Sequence, residues 1–349
     1  MQYDWINTVG EMSSDNTIIE FNNKFNQRIE PGTLPEQLTN LTFGVNFNQR
    51  IEPGTLPNKI TTVNFGCYFN QQIVPNSLPK NLTTIIFSIC FNQKIEPGTL
   101  PEKLSNLTFG DCFNQEIEPR TFPVHLTKLK FGLWFNQKIE PGTLPENLTT
   151  VIFGYNFNQE IVPNSLPNNL TTVIFGYNFN QEIVPNSLPN NLKVLTFEQT
   201  FNQKIESEML PPNLKVLTFE QIFNQKIESE MLPPNLENIN YKWILLGIID
   251  PIEYHIDMIN NIPAHYLVKI FLFNNIPAHY LVKIFLFNNI FNDVGPKWPI
   301  HVVKYRESDW SPDIYEIQDR YEDPSYGLIT VVINKNTYEP YSSIKSARK

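Results

Sequence analysis

The titratable side chains of this sequence recur at a regular spacing instead of gathering in one place. Seven glutamates share one phase of a 22-residue period, and a lysine or arginine stands two positions before six of them. The glutamates are Glu30, Glu52, Glu96, Glu118, Glu140, Glu206 and Glu228, and the cations are Arg28, Arg50, Lys94, Lys138, Lys204 and Lys226. Such pairs can serve acid–base chemistry, but a pair copied along the chain does not form the single pocket that catalysis needs. We expect a solvated edge on which the charges compensate one another; the alternative is a site for a basic partner.

The other candidates for chemistry are five histidines and three cysteines. His265 and His279 are copies made by one duplication, and Cys67, Cys90 and Cys112 have neither CxxC spacing nor a histidine at the spacing of a metal ligand. The sequence contains no HExxH motif, phosphate-binding loop, GxGxxG motif or nucleophile elbow. We therefore expect that the protein is not an enzyme and has no catalytic, cofactor-binding or metal-binding residues.

Charge and hydrophobicity argue against two classes of partner. The chain has 26 basic and 35 acidic residues and a formal net charge of −9, whereas nucleic-acid binding rests on an excess of lysine and arginine. Its longest apolar runs, such as residues 266–273, are about eight residues long, and a membrane span needs about 20. No basic and then apolar leader opens the sequence, and the sparse cysteines suit a reducing compartment. We expect a cytoplasmic protein with neither a nucleic-acid nor a membrane partner.

A 22-residue period organises the chain. The tripeptide Phe-Asn-Gln begins at Phe25 and returns once in every 22-residue unit up to Phe223, ten times in all. Counted in columns from this Phe, columns 2 and 3 are always Asn and Gln, column 5 is Ile and column 11 is Pro. Column 10 is Leu except at Phe122, column 14 is Leu except at Ile60, column 17 is Leu, Val or Ile, and column 19 is Phe except at Tyr241. An internal repeat of this length predicts a solenoid.

The six apolar columns (1, 5, 10, 14, 17 and 19) fit neither a helical stripe nor a long amphipathic strand. They fit a coil that turns repeatedly and points each apolar side chain inward. The spacing over columns 14–19, L-x-x-[LVI]-x-F, resembles the strand of a leucine-rich repeat, and the prolines of columns 7 and 11 predict irregular or 3₁₀-like structure elsewhere. We predict a repeat solenoid of leucine-rich-repeat-like coils with short parallel strands and about ten 22-residue rungs, one rung being one turn of the coil, plus a small C-terminal α+β segment.

Three polar or small columns carry further expectations. The column 2 asparagines are expected to form a ladder with backbone groups, because a buried amide must be paired; the alternative is ten exposed functional Asn-Gln pairs. The column 20 glycines are expected to make a tight turn after each strand, although Ser88, Glu198 and Glu220 replace glycine there and a positive φ is not strictly required. Cys90 and Cys112 share column 22 on neighbouring rungs, and we expect reduced thiols because stacked side chains in register point the same way.

The unit LPxxLxxLxFGxxFNQxIxPG, which covers about residues 15–241, resembles the FNIP repeat. This 22-residue relative of the leucine-rich repeat is known from social amoebae and from giant DNA viruses of amoebae, so the resemblance implies the host cytoplasm if the chain is viral. Family members often carry an F-box-like segment at the N-terminus, which implies substrate adaptors for ubiquitin ligases. About 14 residues precede the first half unit of this chain, so an adaptor role would be performed without an F-box of its own.

Columns 16 and 18 flank the central inward residue of each strand and form an almost uncharged, β-branched surface. Its middle part, which we name the strand face, consists of Thr84, Ile86, Asn106, Thr108, Lys128, Lys130, Thr150, Ile152, Thr172 and Ile174. Such a face is the usual binding surface of a repeat protein, but β-branched residues also simply suit strands. The strand face is the candidate site for a protein partner.

The repeat predicts four segments: residues 1–14, the solenoid over 15–241, a capping region over 242–295, and residues 296–349 of unknown role. Residues 242–259 are apolar and predict a helix, interrupted at Pro251, that covers the last rung. Residues 261–274 recur identically at 275–288 and resemble shortened rungs, and a strand is predicted at 328–333.

These patterns favour a protein–protein interaction scaffold that binds an unidentified partner through its strand face. A passive structural or surface rod is the first alternative, and a ubiquitin-ligase substrate adaptor is the second.

Overall fold

A computed structural model describes residues 6–220, 223, 225, 227, 229–244, 267–273, 301–305 and 331–332. The chain divides into two compact units, Met1–Leu192 and Lys193–Lys349. The first unit opens with a short helix, α1 (Ile6–Val9), and with strand β1 (Gly10–Met12), which pairs antiparallel with β2 (Ile18–Phe21). Seven parallel strands follow in sequence order: β3 (Asn40–Thr42), β4 (Thr62–Asn64), β5 (Thr84–Ile86), β6 (Asn106–Thr108), β7 (Lys128–Lys130), β8 (Thr150–Ile152) and β9 (Thr172–Phe175).

The second unit continues the 22-residue repeat as far as β12. Its strands are β10 (Val194–Phe197), β11 (Val216–Glu220), β12 (Asn238–Ile244), β13 (Leu267–Phe273), β14 (His301–Tyr305) and β15 (Val331–Val332). Strands β10 to β14 pair in parallel, and β15 is antiparallel to β14. A 3₁₀ helix, Ser229–Met231, lies between β11 and β12. The predicted solenoid, with parallel strands one 22-residue unit apart, is confirmed, and the described residues contain only the two short helices α1 and Ser229–Met231.

The apolar columns form the core because each strand from β3 to β9 pairs with the residues that lie 22 positions earlier in the sequence. Leu107 pairs with Leu129, and Leu129 pairs with Val151, so each column stacks on itself from rung to rung. In the rung that begins at Phe113, the six apolar columns are all buried: Phe113, Ile117, Phe122, Leu126, Leu129 and Phe131. One rung cannot enclose these side chains alone, so its stability comes from the rungs on either side.

Two columns of phenylalanine stack through the core. Within one turn the rings of Phe131 (column 19) and Phe135 (column 1) lie 3.8 Å apart and within 10° of parallel. Along the stack, Phe135 lies 6.1 Å from Phe113 and 6.1 Å from Phe157. Burial of a Phe side chain contributes about 2–3 kcal/mol, and an aromatic pair adds about 0.5–1.5 kcal/mol. This arrangement explains why column 1 never varies.

Each rung returns to its next strand through turns closed by backbone hydrogen bonds between residues three apart. In the rung of Phe135, the Thr143 N–H donates to the Glu140 carbonyl (3.1 Å), and the Leu148 N–H donates to the Pro145 carbonyl (3.0 Å). The column 8 residue between them has a positive φ, as at Gly142 (+80°). A type II turn favours Pro at its second position and Gly or Asn at its third. Most column 6–9 segments of the chain have this composition, with the sequence EPGT or VPNS.

The column 20 glycines begin the predicted tight turn that leaves each strand, as where the Phe135 N–H donates to the Gly132 carbonyl (3.4 Å). Positive φ belongs to column 8, and the column 20 glycines also lie very close to the backbone of the preceding rung. A Cβ on Gly132 would overlap the carbonyl oxygen of Gly110 on the preceding rung, and a Cβ on Gly154 would overlap that of Gly132. The missing side chain lets successive rungs pack closely where the strand ends.

The predicted asparagine ladder is present, and glutamine takes part in it. The Asn92 Oδ1 accepts the backbone N–H of Asn114 (2.9 Å) and the Nε2 of Gln115 (3.0 Å), while the Asn92 N–H donates to the Asn70 Oδ1 (2.9 Å). The same bond from the Asn backbone N–H to the preceding Asn Oδ1 repeats from Asn26 to Asn180. The invariance of columns 2 and 3 is therefore structural, because one oxygen serves two donors of the next rung.

A second ladder lies at column 15, beside the strands. The Thr149 N–H and Oγ1 both donate to the Thr127 carbonyl (2.9 and 3.0 Å), and Thr127 Oγ1 donates to the Ser105 carbonyl (3.0 Å). Each rung of this region is therefore bonded to its neighbour just before its strand, at column 15, and again after the turn that follows the strand, at column 2. These bonds fix the position of each strand relative to the strands beside it.

The C-terminal predictions are tested only where the structure describes the chain. The helix predicted over 242–259 is wrong at residues 242–244, because β12 continues through Ile244 in register with β13; the remainder lies outside the described residues. The first 14-residue copy contributes β13, and the second lies outside the described residues. Strand β15 falls within the predicted strand 328–333. The proposed segment boundaries stay predictions.

Candidate interaction surface

The strand face forms two parallel rows of outward side chains on β5 to β9. Column 16 contributes Thr84, Asn106, Lys128, Thr150 and Thr172, and column 18 contributes Ile86, Thr108, Lys130, Ile152 and Ile174. The residue between the two rows on each strand is buried; Leu129, for example, is 1% exposed. The structure thus brings all ten predicted residues onto one side of the sheet. Their role in binding stays a prediction.

The two lysines stand out on the strand face. Lys128 and Lys130 are exposed on either side of Leu129, about 7 Å apart along the strand because each residue advances about 3.4 Å. Neither forms an ion pair with any residue that the structure describes. They are the only charged residues in columns 16 and 18 from β3 to β9. They therefore place two uncompensated positive charges on an otherwise neutral surface.

A second exposed surface lies at columns 21 and 22, where the chain leaves the strand. We name it the corner ridge; it consists of Tyr68, Ile89, Leu133, Trp134, Tyr155 and Tyr177. Tyr68 and Trp134 are each 56% exposed, and Ile89 and Tyr155 are 47% and 40% exposed. Large apolar side chains in a row on a surface are a mark of interaction sites. The ridge is the main feature that sequence reasoning missed.

The corner ridge has a rigid backbone. The Trp134 N–H donates to the Asp111 carbonyl (2.8 Å), and the Asn156 and Asn178 N–H groups donate to the carbonyls of Leu133 (2.9 Å) and Tyr155 (2.8 Å). The Tyr155 and Tyr177 rings stack with centroids 4.2 Å apart. Loss of water contact raises the pKa of the Tyr155 hydroxyl, and a hydrogen bond with Tyr177 adds to the shift. These side chains therefore stand on a fixed frame and not on a loose loop.

The glutamate edge at column 6 is compensated by the cations of column 4. Arg28 pairs with Glu30 (3.2 Å), and Lys138 pairs with Glu140 (2.9 Å). Lys94 reaches Glu118 on the next rung (2.6 Å), a hydrogen bond that raises the pKa of Lys94. Exposed pairs of this kind contribute about 0–1 kcal/mol. The solvated edge is the interpretation that the geometry supports.

The cysteines and the remaining titratable groups offer no assembled centre within the described part of the chain. Cys67, Cys90 and Cys112 are unpaired and half-buried, and burial raises the pKa of the Cys90 thiol, with a further contribution from Cys112. In the same region, no group of three or more His, Cys, Asp or Glu side chains could hold a metal ion. Among the residues that the structure describes, no helix is long and apolar enough to cross a membrane.

The chain is similar to a solved structure of a repeat protein. It superposes with a TM-score of 0.65 and 42% sequence identity on CroV588, a giant-virus protein described as a novel circular LRR protein structure. The match covers 73% of this chain and 36% of that chain, so this chain spans about a third of the length of its relative. A comparison with curated proteins gives no significant match.

The repeats themselves match a family model along most of the chain. The FNIP Repeat model matches at residues 17–46, 25–68, 47–90, 91–133, 135–178, 157–200, 179–221 and 201–240. Repeats of this family and leucine-rich-repeat-like solenoids build scaffolds of a non-catalytic kind. These matches extend over more than half of the chain and coincide with its 22-residue rungs. The chain belongs to the FNIP repeat family.

Proposed function

We propose that the chain is a protein–protein interaction scaffold that binds a partner protein through its strand face. The observation that carries the proposal is the pair of uncompensated lysines, Lys128 and Lys130, on an otherwise neutral strand face. A fixed backbone lies beneath this row, since every strand residue is held in register with the next rung. A binding surface that is already ordered avoids part of the entropic cost of association.

The test is proximity labelling with the full chain in the native cell, followed by pull-down with purified variants. Ile152→Asp places a charge in the middle of the strand face, and the expected result is loss of a specific recovered protein. Val124→Asp is the matched control, because Val124 is a 53% exposed aliphatic residue that lies outside the strands. A protein set recovered equally by both variants would overturn the proposal.

Two other outcomes would favour the alternatives. Recovery of no partner, together with assembly of the purified chain into fibres or particles, would favour a passive structural rod. Enrichment of ubiquitin-ligase components would favour a ubiquitin-ligase substrate adaptor.

We also propose that the protein acts in the cytoplasm, of the host if it is viral. The three unpaired thiols support this location. Asn81 and Asn147, which stand in Asn-Leu-Thr sequons, use their Nδ2 groups to bond the Asn58 and Val124 carbonyls (both 3.0 Å), so their amides serve the fold. A fluorescent fusion found in a secretory compartment, or a glycan on the native protein, would refute the location.

A further inference from the structure

We propose that the strand face and the corner ridge together bind an extended acidic protein segment at Lys128, Lys130 and Trp134, with the acidic side chains on the lysines and an apolar side chain on the tryptophan. This inference rests on the proposed function and specifies the chemistry of its partner. The rung from Phe113 to Trp134 is the place where the repeat departs most from its neighbours in charge and in exposed aromatic surface.

The charge of this site is unlike that of the rest of the chain. The net charge is −9, and Arg28, Arg50, Lys94 and Lys138 on the column 4 edge all pair with glutamates. Lys128 and Lys130 have no ion-pair partner among the described residues, and the other outward residues of columns 16 and 18 from β3 to β9 are neutral. Uncompensated cations on a neutral surface attract and orient an anionic partner.

The spacing of Lys128 and Lys130 along the strand favours an extended peptide. Lys128 and Lys130 lie on the same side of β7, two residues apart and hence about 7 Å along the strand. Acidic residues at positions i and i+2 of an extended segment lie on one side at the same spacing. A segment that runs along β7 therefore matches both lysines with an acidic-x-acidic pattern.

The corner ridge supplies an apolar contact a few residues beyond the lysines. Trp134 follows Lys130 by four residues, so an extended segment covers the distance within about four residues of its own. Gly132, between them, has no side chain to stand in the way, and Leu133 precedes the tryptophan in the same turn. Exposed tryptophans in such settings are frequent centres of binding energy. The acidic pair should therefore be followed within a few residues by a large apolar side chain.

Nucleic acid and anionic membranes fit this site less well than a protein segment. A nucleic-acid interface neutralises many phosphates with lysine and arginine, and the whole face from β3 to β9 offers only two cations. A net charge of −9 also repels a polyanion of high charge density. Two short-range ion pairs with an apolar anchor suit a partner that carries few charges.

The test begins with a library of random peptides displayed on phage and selected on the full chain. The expected result is enrichment of peptides with an acidic-x-acidic pattern followed by a large apolar residue. The affinity of an enriched peptide, labelled with fluorescein, is then measured by fluorescence polarisation. We expect the double variant Lys128→Glu and Lys130→Glu, and separately Trp134→Ala, to weaken binding at least tenfold, and 0.5 M salt to weaken it as well.

Matched controls separate this site from a general effect. Lys59→Glu reverses one exposed charge at column 13, and Tyr68→Ala removes an aromatic residue of column 22 that is as exposed as Trp134; both should bind as the unaltered chain does. A peptide with lysines in place of its acidic residues should bind the variant that carries both Lys128→Glu and Lys130→Glu, and so restore the interaction with opposite charges. Circular dichroism of each variant checks that the fold is kept.

Each remaining outcome has a definite meaning. Selected peptides without acidic residues, or peptides that bind the lysine variants unchanged, would overturn the inference. If such peptides were nevertheless lost in Ile152→Asp, the proposed function would stand and only its acidic chemistry would fail. Sedimentation velocity that shows a dimer, abolished by the double lysine variant, would identify a second copy of this chain as the occupant and also overturn the inference.

Discussion

Removal of one oxygen from the asparagine ladder should destabilise two rungs at once. In the variant Asn92→Ala, the backbone N–H of Asn114 and the Nε2 of Gln115 lose the acceptor that they share. A backbone N–H left without a partner away from water costs about 1–3 kcal/mol, and a hydrogen bond of an amide side chain contributes about 0.5–1.5 kcal/mol. Since Asn114 is only half-buried, water offsets part of the loss. We expect the free energy of unfolding to fall by about 2 kcal/mol, in the lower half of the range of about 1.5–4.5 kcal/mol that the two losses give together.

Two control variants show which atom is responsible. Asn92→Asp keeps an oxygen at the same place for both donors, so at pH 7 the loss should be below about 1 kcal/mol. Gln115→Ala removes one of the two hydrogen bonds and leaves the Asn114 N–H paired, so its loss should be about 0.5–1 kcal/mol. The order of stability is therefore unaltered chain, then Asn92→Asp and Gln115→Ala, then Asn92→Ala.

The assay combines urea unfolding, followed by circular dichroism, with amide hydrogen exchange of the full chain. Hydrogen exchange is the decisive measurement because it reports on the Asn114 N–H itself. In Asn92→Ala this amide should exchange faster, while the amide of Asn70, on the preceding rung, should keep its protection through Asn48 Oδ1. The reasoning is refuted if Asn92→Asp is destabilised as much as Asn92→Ala, or if the Asn114 amide stays protected in the alanine variant.

Three further predictions concern the core, the strand ends and a buried hydroxyl. Phe135→Ala should lower the free energy of unfolding by about 3–5 kcal/mol in urea denaturation, because the ring is fully buried and stacked on both sides. The control Trp134→Ala, at the exposed residue next to it, should lower the free energy of unfolding by less than about 0.5 kcal/mol. Gly132→Ala should destabilise the chain by more than Gly142→Ala, measured as the shift in thermal midpoint, because a Cβ at Gly132 overlaps the preceding rung and one at Gly142 meets no atom within 4 Å. Thr99→Val should change the unfolding free energy by less than about 1 kcal/mol, since the buried Thr99 Oγ1 has no hydrogen-bond partner to lose among the described residues; a larger loss would show that the hydroxyl is bonded.

The sequence predicted the parts of the fold that depend on burial, because burial repeats with the rung. Phe113, Ile117 and Leu129 occupy columns that never become polar, and all three are buried. The asparagine ladder also followed from invariance, although the second donor, the glutamine of column 3, did not. Column 20 was predicted in part: the tight turn after the strand is present at Gly132, but the close approach to the preceding rung follows only from how the rungs stack.

The candidate site was predictable in part for the same reason. Strand alternation places Lys128 and Lys130 outward once Leu129 points inward. The corner ridge, in contrast, lies in a turn, where no period of two or of 3.6 says which way Trp134 points. A signal was nevertheless present: columns 21 and 22 vary freely between rungs and often hold large apolar residues. Variation at an apolar column indicates a side chain that does not pack in the core between rungs.

The ladders also determine how this protein would respond to a mechanical load. Their hydrogen bonds join residues 22 or 23 apart in sequence, as in the bonds from Asn114 and Gln115 to Asn92, so each bond holds one rung to the next. A pull on the chain would peel rungs away in turn, because each rung is held by its neighbours alone. One detached rung frees 22 residues, or about 75 Å of extended chain at about 3.4 Å per residue, in place of a rung spacing of about 4.8 Å. The repeat region would therefore lengthen in equal steps and act as an extensible tether for whatever it holds.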